Sequence, residues 1–430
     1  MEPVVELVPI NKDSSTRPTS LPRVSRRVWQ LILLSVAAGS AVFARFTMGP
    51  LQEALQSNLG LSDNQIALLQ GPAIALPMAL SVIPLGLAID RYSRVRLLLL
   101  FAGVDVVAGV LTALGSSFFT LVWGRCLIGL ASGATTVAAY SALADLYPPE
   151  LRGRTSMVLA FSEVGGASAA FALGGELLKI FGSANGWRLA MLTSTLPLVL
   201  ALGLLFGLAE PVRTGAKVVR YTPKQALAEM WRYRVVVCLL LIGRIMVGTA
   251  DGASFIWAAP VLSRVHGLAP DRIGAIMATA LLISGVLGPL SGGVLADLCQ
   301  RRGGPRYTLL ALAGLTALSI PASLFGIVPG IAVASTLLTT FITAGAAIVV
   351  VVMTLTTIVM PSEVRGLCMS VLVCAGVLFG VGLSPVTVSL LSTALGGPAM
   401  VGKALSLVCV SASLLCAVAF SVGRRWVFRS

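Results

Sequence analysis

A run of about twenty apolar residues, the length that takes a helix across a bilayer core, recurs twelve times along this chain. The segments lie at 28–43 (continuing past Arg45), 65–89, 97–115, 121–143, 157–178, 189–208, 235–262, 273–295, 307–328, 331–358, 367–395 and 401–422. They are uniformly apolar, rich in Leu, Ala and Gly, and show none of the period-two alternation of a membrane barrel strand. Because every backbone polar group must be satisfied inside the segment, the reading is helical. Only 11% of residues are charged and 57% are hydrophobic, against about 25% charged in soluble domains. The predicted class is an all-α membrane protein with twelve transmembrane helices.

The basic residues give this bundle a direction. With alternate connections taken as cytoplasmic, most of the 31 Lys and Arg residues fall on one side, the other side receiving Lys179, Arg188, Arg264, Arg272 and Lys403. The positive-inside rule then places both termini in the cytoplasm and the protein in the inner membrane. The net charge of +14 is a topology signal, and no nucleic-acid partner is expected from it. Residues 1–26 lack the apolar core of a signal peptide and read as a cytoplasmic tail.

Positions 60–66, GLSDNQI, are matched by 267–273, GLAPDRI; Gly86 is matched by Gly293, Asp90 by Asp297 and Arg94 by Arg301, all displaced by 207 positions. PPELRG at 148–153 is matched by PSEVRG at 361–366 with a displacement of 213, the longer loop CQRRGGPR absorbing the difference. The chain is therefore two pseudo-symmetric six-helix bundles, 27–209 and 235–423, joined by a cytoplasmic linker at 210–234 and followed by a tail at 424–430. The linker carries an amphipathic stretch at 223–231 suited to the membrane surface. Duplicated halves around a midplane site are what alternating access needs, since one bundle can rock against the other.

The motif G-x-x-x-D-R-x-x-R at 86–94, its degenerate copy at 293–301 and the arginine of GRCLIGLASG at 124–133 resemble the major facilitator superfamily over essentially the whole chain. NLGLSDNQIALLQGPAIALPMALSVIPLGLAIDR, RCLIGLASG and DLYPPELRGR are similar to its spinster-like branch. That resemblance implies a carrier, with lysophospholipids, sphingolipids or small organic acids as the substrate classes. The family's acidic residues of the first and fourth helices are replaced here by Ala44 and Ser132, so its usual proton-coupling carboxylates do not transfer to this chain.

The loop motif reads as a gate. Gly86 allows close helix approach, and Asp90 is placed to face the positive amino terminus of a helix in the other half, the eleventh by resemblance. Arg91 and Arg94 are expected to pair with Asp145 and so hold Asp90. In the copy, Gly293, Asp297 and Arg301 persist, but Leu298 and Ile358 replace the partners. The latch is therefore expected to be asymmetric.

Ionisable groups within spans are functional candidates by default: Arg45, Asp105, Arg125, Glu163, Arg244 and Asp251. The resemblance makes the first, fourth and seventh helices cavity-lining, which nominates Arg45, Arg125 and Trp257 for substrate binding. Two guanidiniums suit a carboxylate or phosphate; the structural alternative for Arg125 is a tie to a backbone carbonyl or to Asp105. Asp251 and Glu163 are the candidates for proton coupling, the alternative for Asp251 being a packed pair with Arg244. Glu163 lies in SEVGGASAAFALGGEL, a small-residue helix that argues close packing at the interface between the halves. Phe43, Phe46, Met48 and Phe255 add an apolar lining.

Seven scattered cysteines and the single His266 form no metal-ligand spacing, and no phosphate-binding loop is present. No catalytic residue, cofactor or metal is expected, and the chain reads as a non-enzyme. The partners expected are a small-molecule substrate, protons or another coupling ion and the lipid bilayer, with the protein a monomer. The predicted function is secondary transport of an anionic or amphipathic small molecule. Export of hydrophobic drugs or metabolites, or a sensor built on a carrier scaffold, is the alternative.

Overall fold

Apolar segments become helices, broken where proline and glycine interrupt the backbone ladder. The computed structural model describes residues 24–182, 185–210 and 229–426, with the side chains at 24–26, 82–83, 85–87, 89–91, 149, 362–363 and 424–426 outside the described set. The first half holds α1 (Val24–Phe46), α2 (Gln52–Leu59), α3 (Asp63–Gln70), α4 (Pro72–Arg91), α5 (Arg94–Leu114), α6 (Phe118–Leu146), α7 (Pro149–Phe181) and α8 (Gly186–Leu205). The second half holds α9 (Arg234–Arg264), α10 (Pro270–Gly303), α11 (Pro305–Ala322), α12 (Ile331–Val359), α13 (Ser362–Ala375), α14 (Ser384–Ala394) and α15 (Val401–Trp426). Among the described residues eleven helices are long and apolar enough to cross a membrane, α13 and α14 counting as one. The 20-residue α4 supplies the expected second span. Both termini of this even-numbered bundle emerge at one end, called here the termini end; the other is the far end.

The second span is shorter than its apolar pattern suggested. A capping box opens α3, with the Ser62 hydroxyl accepting from the Gln65 amide and the Gln65 side chain accepting from the Ser62 amide. At Gly71 the helix breaks and restarts with Pro72 in its first turn, where a missing N–H costs nothing. The short α2, in the first far-end loop, had no signature in the apolar pattern. Of the linker's amphipathic stretch, only residues 229–231 are described, and they are helical.

The glycine-rich helix packs as its composition suggested, and in two directions. A methyl group at Gly166 of α7 would overlap the Gly39 carbonyl of α1 within the first half, and one at Gly274 of α10 would meet the Phe171 carbonyl of α7 at 2.5 Å across the halves. The second half repeats the first contact: a methyl at Gly252 of α9 would overlap the carbonyl of Gly380. Gly380 lies in a π-helical segment, Gly376–Leu383, joining α13 to α14. Pro385 just beyond it has no N–H to continue the ladder, and its own carbonyl is taken by the Trp257 indole N–H at 3.0 Å. This junction ties the eleventh span to the seventh.

Two arginines of the duplicated loops cap helices in the same way. Arg152 Nε donates to the Tyr147 carbonyl at 3.2 Å, and Arg365 Nε donates to the Met360 carbonyl at 3.3 Å. Tyr147 ends α6 and Met360 ends α12, so each cation satisfies an orphan carbonyl at the negative end of a helix. The arginine of each motif copy therefore has a structural task besides setting topology.

Candidate functional site

The seam between the halves holds the charges that no bundle core absorbs. Glu163, midway along α7, is half-buried, with Oε1 in a buried position lacking a hydrogen-bond partner among the described residues. Arg45, in the last turn of α1, interacts with Glu163 through its charge. Its guanidinium lies 5.2 Å from the ring centroid of Phe46, within cation–π range. Phe46 in turn meets Phe171 of α7 at 6.2 Å and, across the seam, Phe255 of α9 at 6.0 Å with the rings nearly perpendicular. A guanidinium and a carboxyl thus sit beside an aromatic plug that joins the halves.

On the far side of that plug the halves are latched. Arg264, at the end of α9, reaches into the first half and donates to both oxygens of Glu53 at 2.8 and 2.9 Å, both oxygens of Asp63 at 2.8 and 2.9 Å, and Gln56 at 2.9 Å. Two further contacts cross nearby: Lys179 of α7 pairs with Asp271 of α10 at 2.9 Å, and the Ser389 hydroxyl donates to Asn64 at 2.6 Å. These contacts between the halves all lie at this far end. The sequence had assigned Arg264 to the sparsely charged side and given it no role.

The latch has a defined pH range. Burial pushes the Asp63 carboxyl up, but hydrogen bonds from Arg264 and Gln56, with the Arg264 charge, outweigh it and hold the group below its usual range. A depressed carboxylate contributes closure that is present in full above its free value, about 3.9 for Asp, and that is lost as pH falls through the lowered bound value. Spectroscopic distances across the far end are therefore expected to stay constant between about pH 8 and 5 and to lengthen only below about pH 4.

At the termini end the charges tie elements of one half together. Arg94, at the start of α5, forms an ion pair with Asp145 near the end of α6. Glu210, just past α8, caps α5: it accepts from the Ser93 hydroxyl at 2.5 Å, the Arg94 amide at 2.9 Å and the Val95 amide at 3.1 Å. A carboxylate there meets the positive end of a helix, and nothing in the sequence had pointed to it. Gly86, Asp90 and Arg91 lie on α4, and their side chains are outside the described residues. In the second copy, Gly293 is half-buried, whereas Asp297 and Arg301 are exposed and form no ion pair among the described residues.

Three nominated residues are enclosed among helices. Trp257 is fully buried in the second half, its N–H bound to Pro385. Arg125 is fully buried in the first half, where Nη2 donates to the Arg45 backbone carbonyl at 2.9 Å. This is the backbone tie, and it anchors the turn from which Arg45 projects; Nε and Nη1 are buried with no hydrogen-bond partner among the described residues. Asp251 lines an enclosed space of the second bundle with Thr316, Ser319, Gly345 and Ser413, so its carboxyl belongs to a bundle interior. Its charge interacts with Arg244, on the same helix. Phe43 and Met48 are likewise buried, whereas Phe46 and Phe255 meet across the seam.

Two helical bundles of one design, meeting along a seam latched at the far end, are the frame of a membrane transporter and not of an enzyme. The chain belongs to the Major Facilitator Superfamily, whose family model matches residues 34–385. It is 28% identical over 313 residues to a Mycolicibacterium smegmatis protein described as an MFS-type efflux pump, with 70% of each chain covered. Its fold matches the crystal structure of a bacterial homologue of the human lysosomal transporter Spinster, inward-facing and unoccupied, with a TM-score of 0.76 at 21% identity over 95% of this chain and 97% of that one. A D-xylose–proton symporter shares the fold with a TM-score of 0.67 at 18% identity, covering 90% of this chain and 96% of that one. The spinster-like resemblance read from the motifs is thus matched in the fold.

Proposed function

We propose that this protein is a secondary carrier of the inner membrane, with its termini in the cytoplasm, that moves an amphipathic or organic anion by alternating access coupled to protons. One observation carries the reading: at the far end Arg264 of the second half is locked to Glu53 and Asp63 of the first. With cytoplasmic termini, that arrangement is the inward-facing half of a transport cycle. Arg45 supplies the anion contact, with Phe46 and Phe255 for an apolar portion. Glu163 is the favoured proton carrier, because its carboxyl stands at the seam within the field of Arg45, where anion binding alters the charge it experiences. Asp251, enclosed in the second bundle, is placed to support Arg244.

The test is uptake of candidate anions into proteoliposomes under an imposed pH gradient. Glu163→Gln is expected to abolish gradient-driven accumulation while leaving downhill exchange, and Asp251→Asn to reduce accumulation less. Full accumulation by Glu163→Gln contradicts the assignment. The efflux-pump description of the M. smegmatis relative favours a second reading, export of hydrophobic compounds. A thermal-shift screen separates the two, since a ligand that binds the folded state raises its apparent stability. Lysolipids and organic acids stabilise the protein on the first reading, hydrophobic cations on the second.

A further inference from the structure

Each bundle encloses a small cavity, and the two are built alike. The first lies among α1, α5, α6 and α8, has a volume of about 10 Å³ and is lined by Thr47, Asp105, Ile128, Ser194 and Thr195 together with small and apolar side chains. The second lies among α9, α11, α12 and α15, has the same volume of about 10 Å³ and presents Asp251, Thr316, Ser319 and Ser413. These helices are the first, third, fourth and sixth spans of each repeat, and each cavity carries one carboxylate and three hydroxyls. The acids have different origins: Ala44 stands where Asp251 stands 207 positions later, and the first bundle takes its carboxylate from α5.

The decisive difference is the neighbouring charge. Asp251 likewise joins no ion pair among the described residues, but the charge of Arg244, on the same helix, acts on it. Asp105 is 3% exposed, has Oδ1 without a hydrogen-bond partner and joins no ion pair among the described residues. Arg125 of the adjacent helix directs Nη2 to the Arg45 carbonyl instead. Ser194 is 1% exposed and its Oγ likewise has no partner among the described residues. Thr47 donates its hydroxyl hydrogen to the Phe43 carbonyl at 2.7 Å, and Thr195 donates to the Leu192 carbonyl at 2.6 Å. Those bonds spend the hydrogens and leave oxygen lone pairs for another partner.

We propose that Asp105, Ser194, Thr47 and Thr195 form a sodium-binding site inside the first bundle. An ionised carboxylate in a membrane interior needs a compensating charge, and an all-oxygen donor set suits a hard cation. One formal negative charge matches a monovalent ion, since a divalent ion would leave a net charge buried. A volume of this size holds one water-sized particle. Bound there, sodium bridges α1, α5 and α8 and fixes the turn of α1 that carries Arg45. The cavity of Asp251, already served by Arg244, takes no sodium.

The experiment is binding of radioactive sodium to the purified full-length protein in lipid nanodiscs at alkaline pH, with no transport substrate present. Asp105→Asn, Ser194→Ala and Asp251→Asn are compared after gel filtration shows each to be monodisperse. Wild type and Asp251→Asn are expected to bind sodium saturably, Ser194→Ala to bind it more weakly, and Asp105→Asn to lose it. Sodium, but neither potassium nor choline, is expected to raise the melting temperature of the wild type. The proposal is overturned if the wild type shows no saturable binding, if Asp105→Asn retains it, or if the melting temperature responds to acidification alone, which marks a protonated carboxyl. None of these results bears on Glu163, whose role is read from transport.

Discussion

Arg264→Ala is expected to unlatch the far end and shift the protein towards a state open on that side. The side chain grips Glu53 and Asp63 with paired bonds while only 17% exposed, and the Asp63 side chain is 7% exposed. Removing one partner of a buried pair costs about 3 to 5 kcal/mol, because the other charge is left uncompensated. The partial exposure of Arg264 and of Glu53, at 34%, reduces the expected cost to about 2 to 3 kcal/mol. That is a change of roughly 30- to 150-fold in the closed-to-open ratio. Arg264→Lys is expected to recover only part of it, since an ammonium cannot present the planar fork that engages both carboxylates. Single-molecule or pulsed spin-label distances across the far end read both variants. A wild-type distribution for Arg264→Ala contradicts the latch.

The second large effect is expected from Asp145→Ala. Arg94 is 8% exposed and paired with Asp145, so its guanidinium loses a buried partner at a cost of about 3 kcal/mol. Asp297→Ala in the second motif copy removes an exposed side chain with no ion pair among the described residues. Its expected cost is within about 0.5 kcal/mol. Thermal unfolding in detergent separates the two, and transport should follow the same order. Equal losses would contradict the difference in burial and pairing between Asp145 and Asp297.

The spans and the duplication were legible because bilayer length and fixed displacement are strong signals. The Arg94–Asp145 pair was within reach of the same reasoning, as both residues fall at the termini end of neighbouring spans. The far-end latch was not: Glu53 and Arg264 are 211 positions apart, and each alone reads as a solvated loop charge. A signal was present in the matched loops GLSDNQI and GLAPDRI. Each copy reaches across the seam, Asp63 and Asn64 to Arg264 and Ser389, Asp271 to Lys179. Trp257 and Arg125 were nominated from helix membership, and Asp251 from being charged within a span. A helix apolar on every side carries no polar face to reveal its rotation, so membership fixes the helix and leaves open which way a side chain points. Arg45 and Glu163 stood out in the sequence because charge within a span is rare whichever way it faces.

The account's central claim is that the two bundles rock about the aromatic seam, so that opening one end closes the other. Spin-label pairs at Ser57 and Arg272, across the far end, and at Arg96 and Arg302, across the termini end, occupy exposed positions and measure this in wild type and in Arg264→Ala. The far-end distance should lengthen in the variant while the termini-end distance shortens. Lengthening at both ends, or at the far end alone, would contradict alternating access about this seam.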